Sequence, residues 1–191
     1  MTVEIFDNIF NHEELVFLDN FMLENPGTCA NRVEPEFVRN SSGKLLNNHL
    51  FFGKVFFQRK NINVIEILDP SANILFDVLE KIQKKTNRKY YIKQISTNLQ
   101  HSGCDGTTHV DGPSDYHKTI MLMTNCYWEP EWGGQFQLTN YDDEVIEEYE
   151  YKPGRVIIFP GNHPHRGLGP KNNLPYVYRT TLVFRTEPLV F

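Results

Sequence analysis

The sequence predicts a mainly β (α+β) fold, a sandwich or barrel of jelly-roll type with N-terminal helices packed on one sheet. Three observations predict it. From residue 89 onward, short apolar runs follow one another at close spacing, joined by Gly, Pro, Asn and Asp. Helical periodicity is confined to two segments before that point. Aromatic residues, 14 Phe and 9 Tyr, are numerous enough to furnish the pleated, half-buried surfaces of such an assembly.

The first helix reads from Asn11 to about Glu24. Asn11 can cap it, Glu14 stands three residues on, and Leu15, Leu18, Phe21 and Met22 mark one apolar face. Pro26 and Gly27 end it. Residues 27–50 carry Asn, Ser, Gly and Pro without a clean period and read as loop, with a short strand around Glu36 to Val38. Leu50 to Phe57 reads as a strand interrupted by Gly53. Asp69-Pro70 opens a second helix with proline at its first position, and Ile74, Leu75, Val78, Leu79 and Ile82 give it a buried stripe ending near Asn87. The strands that follow are Lys89–Gln100, Lys118–Asn125, Gln135–Thr139, Glu147–Tyr151, Arg155–Phe159 and Tyr178–Thr186. The helices are expected to cover one face of the sheets rather than to form a domain of their own.

Composition narrows the function classes. A chain of 191 residues fits one domain and buries enough surface to fold without a disulfide or structural metal. Three widely spaced cysteines, Cys29, Cys104 and Cys126, contain no C-x-x-C pair and read as ordinary thiols of a reducing compartment. The N-terminus has no basic region followed by an apolar run, and no stretch approaches the ~20 apolar residues of a membrane span. A cytoplasmic protein without membrane partners is the expectation. The formal net charge of −5 argues against broad capture of nucleic acid. The basic cluster Lys81, Lys84, Lys85, Arg88 and Lys89 falls where cations complement a helix C-terminus. The acidic run Asp142, Asp143, Glu144, Glu147 and Glu148 reads as a solvated hairpin.

Three groups of residues carry chemistry. His109-Val110-Asp111 places an imidazole and a carboxylate on the same side of an extended chain, within reach of one ion. Gly112 and Pro113 follow at once, so a turn histidine beside an Asx-turn aspartate competes with that reading. The stretch FPGNHPHRGLGP, residues 159–170, offers a second histidine, His163 or His165, just beyond an apolar strand. Two histidines and one carboxylate make the facial triad of non-haem Fe(II), which leaves coordination positions open. On the last strand Arg179, Thr181, Val183 and Arg185 share one face while Thr180, Leu182 and Phe184 share the other. A guanidinium and a hydroxyl pointing the same way suit a carboxylate, and a sheet-edge salt bridge is the competing use.

Taken in order, H-x-D, Trp132-Gly133-Gly134, KPGRVIIFPG, Pro164-His165 and Arg179-x-Thr181 resemble the Fe(II)/2-oxoglutarate oxygenases of the prolyl 4-hydroxylase type. The resemblance covers roughly residues 90–186, and the early IFDNIFNHEELVFLDNF helix resembles the entry segment of those proteins. It implies a double-stranded β-helix, the jelly-roll or cupin-like fold. Residues 1–88 would be helical support and lid, and residues 89–187 the catalytic core of a single oxygenase domain. It implies that His109, Asp111 and His165 ligate iron, His165 fitting better than His163 because prolines flank it. Arg179, assisted by Thr181, would hold the distal carboxylate of 2-oxoglutarate. Where such proteins usually place a tyrosine, this chain has Asn98 and Gln100 as substitutes. Lys171 to Pro175 would form an inserted loop. Trp128, Arg185 and His117 are candidates for the substrate pocket, and His101 flanks the site in sequence. The carboxylate of Asp111 points to hydroxylation rather than halogenation.

The reading that follows is a dioxygenase acting on a peptidyl proline, amino acid or related small substrate. It would use Fe(II), 2-oxoglutarate and O2, with ascorbate in support. Two alternatives stand beside it. Arg179-x5-Arg185 also resembles the spacing of AlkB-type nucleic-acid demethylases, against which the acidic balance and the absence of a basic, aromatic lid before residue 90 weigh. A non-catalytic jelly-roll module binding metal or ligand would have no need of Arg179.

Overall fold

The computed structural model describes residues 2–30, 51–61, 64–174 and 176–188. The expected strand around Glu36 to Val38 lies outside them. In chain order the elements are β1 (Glu4–Phe6), α1 (His12–Glu24), β2 (Thr28–Ala30), β3 (Phe51–Asn61), β4 (Val64–Ile67), α2 (Ala72–Thr86), β5 (Tyr91–His101) and β6 (Lys118–Met123). Then come β7 (Phe136–Thr139), β8 (Val145–Tyr149), β9 (Val156–Pro160), β10 (His165–Gly167) and β11 (Tyr178–Glu187). An antiparallel sheet of eight strands runs β1-β9-β6-β11-β5-β3-β2, with β4 also paired to β3. A second sheet of three runs β10-β7-β8.

Alternation along the central strands explains why there are two cores. On β11, Leu182 and Phe184 face the helices and pack with Ile95, Ile120, Leu122, Ile158 and the buried stripes of α1 and α2. Val183 faces the other way, into a second cluster with Met121, Ile157, Phe159, Phe136 and Trp128 between the two sheets. Helices on one face and a small sheet on the other make the expected jelly roll.

The first helix has the expected capping box. Asn11 Oδ1 accepts from the Glu14 N–H at 2.9 Å, and the Glu14 carboxylate accepts from the Asn11 N–H at 2.8 Å. The second helix begins later than the sequence suggests. Pro70 lies before it in a turn, where Asp69 Oδ1 accepts from the Ser71 N–H, and the first helical residue is Ala72. Asn87 in a left-handed conformation closes α2. The segment before residue 89 is not helical support alone, since β1 joins the large sheet through β9 and β3 joins it through β5. Among the described residues no helix is long and apolar enough to cross a membrane.

Candidate metal and cosubstrate site

The small sheet places the two histidines. His165 opens β10, and His109 pairs with it from the loop between β5 and β6 in an isolated antiparallel bridge. The His109 N–H donates to the His165 carbonyl at 3.0 Å, and the His165 N–H returns the bond at 2.9 Å. In such a pair the side chains stand next to each other, and the two ring centroids are 4.4 Å apart. Each Nδ1 lies 2.8 Å from the carbonyl oxygen two residues earlier, Thr107 for His109 and His163 for His165. Those carbonyls can only accept, so Nδ1 carries a proton on both rings and Nε2 is left as the nitrogen for a metal.

Asp111 is fixed two residues beyond His109, where its N–H donates to the Gly161 carbonyl at 2.7 Å. Its Oδ2 is 3.4 Å from His165 Nε2, and its Oδ1 is 3.7 Å from His109 Nε2. One donor atom from each of the three residues lies within 4.8 Å of the others. The carboxylate is only 3% exposed. Burial works against its ionisation, but the neighbouring His165 and Arg185 outweigh burial and hold it well below the usual carboxylate range. Enclosure in protein and the adjacent His165 push His109 below the usual imidazole range, which keeps it neutral at physiological pH.

The set fits a divalent metal. Two imidazole nitrogens and one carboxylate lie close enough to share one ion, a donor set suited to ferrous iron with positions left open. The Arg185 cation is the nearest partner of Asp111 Oδ1, 2.6 Å away, with His109 Nε2 at 3.7 Å. His163 supplies its carbonyl to this arrangement, and His165 supplies the ring.

At the other end of the same cavity, Arg179 is 2% exposed. Its Nε donates to the Gly134 carbonyl at 2.8 Å and its Nη1 to Gln100 Oε1 at 2.7 Å, while Nη2 is buried without a partner. The guanidinium lies over the Tyr151 ring, 5.2 Å from its centroid. Burial pulls Arg179 down to about 10, so it remains a cation at neutral pH. A buried cation with an unused N–H calls for an anion, and Thr181 stands on the same face two residues on. Gln100, at the expected tyrosine position, donates its amide to the Cys104 and Gly167 carbonyls at 2.9 Å each and so orients Arg179. Asn98, the β-pair partner of Thr181, lines the cavity beside it.

The cavity measures about 660 Å³ and holds His109, Asp111, His165, Arg179, Thr181 and Arg185 together. Two expected pocket residues lie outside it. Trp128 is buried in the core between the sheets, because its indole N–H finds the Gly133 carbonyl at 3.0 Å and its ring packs on Tyr151. His117 lies against Gly112 and Gly161 instead, with Nδ1 2.8 Å from the Ser114 hydroxyl. Sequence reasoning passed over Gln94, Ser96 and Thr119, all of which line the cavity. The alternation Gln94, Ser96, Asn98, Gln100 along one strand was the signal that could have found the first two.

No family model and no curated protein match the sequence. Solved structures do. A 2OG-Fe(II) oxygenase family oxidoreductase from Burkholderia pseudomallei aligns at TM-score 0.65 and 15% identity, over 96% of this chain and 84% of its own. A prolyl hydroxylase from Trichoplax adhaerens, in complex with a hypoxia inducible factor oxygen degradation domain peptide fragment, aligns at 0.59 and 14%, over 96% and 83%. The viral collagen prolyl hydroxylase of Paramecium Bursaria Chlorella virus-1, in its 2OG complex, aligns at 0.58 and 16%, over 97% and 96%. This chain therefore has the fold of the 2OG-Fe(II) oxygenases, prolyl hydroxylases among them, and carries a His-Asp-His triad within it.

Proposed function

We propose that the protein is an Fe(II)- and 2-oxoglutarate-dependent dioxygenase that hydroxylates a peptidyl proline, amino acid or related small substrate, with release of succinate and CO2. The carrying observation is one cavity that joins three convergent metal donors to a buried arginine with an unused N–H.

His109, Asp111 and His165 would hold the ferrous ion, and Arg179 with Thr181 would receive the distal carboxylate of 2-oxoglutarate. When bound, this pair supplies the activation of O2 and the oxidation of a C–H bond, chemistry beyond any side chain. The protein supplies the rest. The Thr107 and His163 carbonyls hold both Nδ1 atoms and so leave Nε2 as the nitrogen of each ring that a metal would meet. Gln100 and Gly134 fix the plane of the Arg179 fork before any ligand arrives, which lowers the ordering cost of binding. Phe159 and Val183 give the cavity an apolar wall beside the polar donors.

The peptide held by the Trichoplax adhaerens neighbour supports a peptide among the substrates. A non-catalytic module is disfavoured by Arg179, since a buried, half-paired cation is costly unless an anion completes it. The test is succinate formation from 2-oxoglutarate with Fe(II), O2 and supporting ascorbate, followed by screening of proline-containing peptides and amino acids for added oxygen. Turnover that needs Fe(II) and disappears in Asp111→Ala is the expected result. Succinate formation equal in wild type and Asp111→Ala would sink the proposal.

A further inference from the structure

Arg185 points into the metal cavity, six residues along β11 from Arg179, and has no part in holding 2-oxoglutarate in the reading above. Its register explains where it points. On β11 it pairs with Gln94 of β5 on one side and with Thr119 of β6 on the other, so the three residues form one row across three central strands. Immediately beyond it the pairing with β5 shifts at Thr186, an irregularity of the kind that re-aims a side chain beside a functional site.

All three side chains of this row serve one carboxylate. Thr119 Oγ1 donates to Asp111 Oδ2 at 2.8 Å. Arg185 Nη2 sits 2.6 Å from Asp111 Oδ1. Gln94 Oε1 accepts from Arg185 Nη1 at 2.8 Å and so holds the guanidinium in place. Each oxygen of Asp111 is thus restrained from a different strand. The loop that carries Asp111 anchors its backbone through the bonds from the Asp111 and Gly112 N–H groups to Gly161 and brings the His109 ring to 3.7 Å from Oδ1.

We infer that Arg185, braced by Gln94 and acting together with Thr119, is a positioning residue that sets the orientation of the Asp111 carboxylate for metal binding. Two contacts on two oxygens remove rotation about the last side-chain torsion, which a carboxylate on a loop would otherwise retain. Outer partners of this kind are worth about 10–100-fold in metal affinity. A lysine at 185 would keep the charge without the fork and could not reach Asp111 and Gln94 together.

The inference rests on the proposed metal site, and Mn(II) affinity, read from the paramagnetic signal of the free ion, separates the two. Wild type is expected to bind one Mn(II) per chain; no binding there would sink both the site and the brace. With wild-type binding established, Arg185→Met and Thr119→Val are each expected to weaken Mn(II) binding by about 10–100-fold. Arg185→Lys should fall between Arg185→Met and wild type. The double variant should lose less than the product of the single losses, because both act on one carboxylate. The visible spectrum of bound Co(II) should change in Arg185→Met, which a residue that only stabilises the sheet would leave untouched. Wild-type or tighter Mn(II) affinity in folded Arg185→Met and Thr119→Val, with an unaltered Co(II) spectrum, would overturn the brace while leaving the metal site standing.

Discussion

His109 and His165 are backbone partners as well as ring neighbours: each donates its N–H to the other's carbonyl, at 3.0 and 2.9 Å. The main chain therefore holds positions 109 and 165 together independently of their side chains. His109→Ala is expected to stay folded and to lose metal binding by at least about 100-fold, as measured by metal titration with circular dichroism as the control. His165→Ala should lose metal equally but also some stability, because its ring is buried against Phe159 and Phe136.

Gln100 holds Arg179, its Oε1 accepting from Nη1 at 2.7 Å. Gln100→Leu removes the acceptor for Arg179 Nη1 and one donor to each of the Cys104 and Gly167 carbonyls, Gly167 keeping the Gly106 N–H. The KM for 2-oxoglutarate should rise about tenfold, the equivalent of about 1.4 kcal/mol. Mn(II) affinity without cosubstrate should stay within about twofold of wild type. A fall in metal affinity as large as the rise in KM would contradict this division of labour.

Gly134 is required by space and by conformation. Its φ is +79°, and a Cβ there would lie 2.7 Å from Trp128 Cζ2 and 3.4 Å from Arg179 Cδ. Gly134→Ala is expected to destabilise by about 2–4 kcal/mol, from left-handed strain together with overpacking. Because Arg179 Nε donates to the Gly134 carbonyl, the KM for 2-oxoglutarate should rise as well. Thermal melting and steady-state kinetics check the two effects separately.

Asp7 ties the segment after β1 to the start of β9, accepting from Arg155 at 2.9 Å and from Lys152 at 2.8 Å. The Arg155 bond, opposed by partial burial and aided by Lys152, holds its carboxyl down to about 2, from an ordinary value of 3.8. A depressed carboxylate stabilises the fold above its unfolded value, and that stability is lost as pH falls through its folded value. Wild type should therefore lose stability between pH 3.8 and about 2. Asp7→Asn should be less stable at neutral pH by roughly 1 kcal/mol and show a flatter acid limb. Equal acid limbs by chemical denaturation would remove Asp7 from the account.

Much of this was legible in the sequence, for identifiable reasons. The capping box of α1 and the two faces of β11 follow from local chemistry and from periods of 3.6 and 2. The triad and Arg179 could be recognised from the order of their motifs, although spacing alone left His163 and His165 open. What favours His165 is tertiary: it is the residue that pairs with His109, across 56 positions of sequence. The strands β1 and β10 have three residues each, too few for a period to show, and exist because a partner strand is already in place. Trp128 illustrates the opposite error. An indole is as useful for packing as for a pocket, and only the Gly133 carbonyl decided between them. The grip of Thr119 and Arg185 on Asp111 depends on strand register, which no local pattern records.

In the proposed site His109, Asp111 and His165 hold a metal and Arg179 binds the distal carboxylate of 2-oxoglutarate beside it. Calorimetric titration of 2-oxoglutarate into the protein, with and without Mn(II), tests it most directly. The account predicts one 2-oxoglutarate per chain, bound only when Mn(II) is present, lost in Asp111→Ala and weakened at least about tenfold in Arg179→Met. Binding of equal strength without metal, or undiminished in Asp111→Ala, would contradict it.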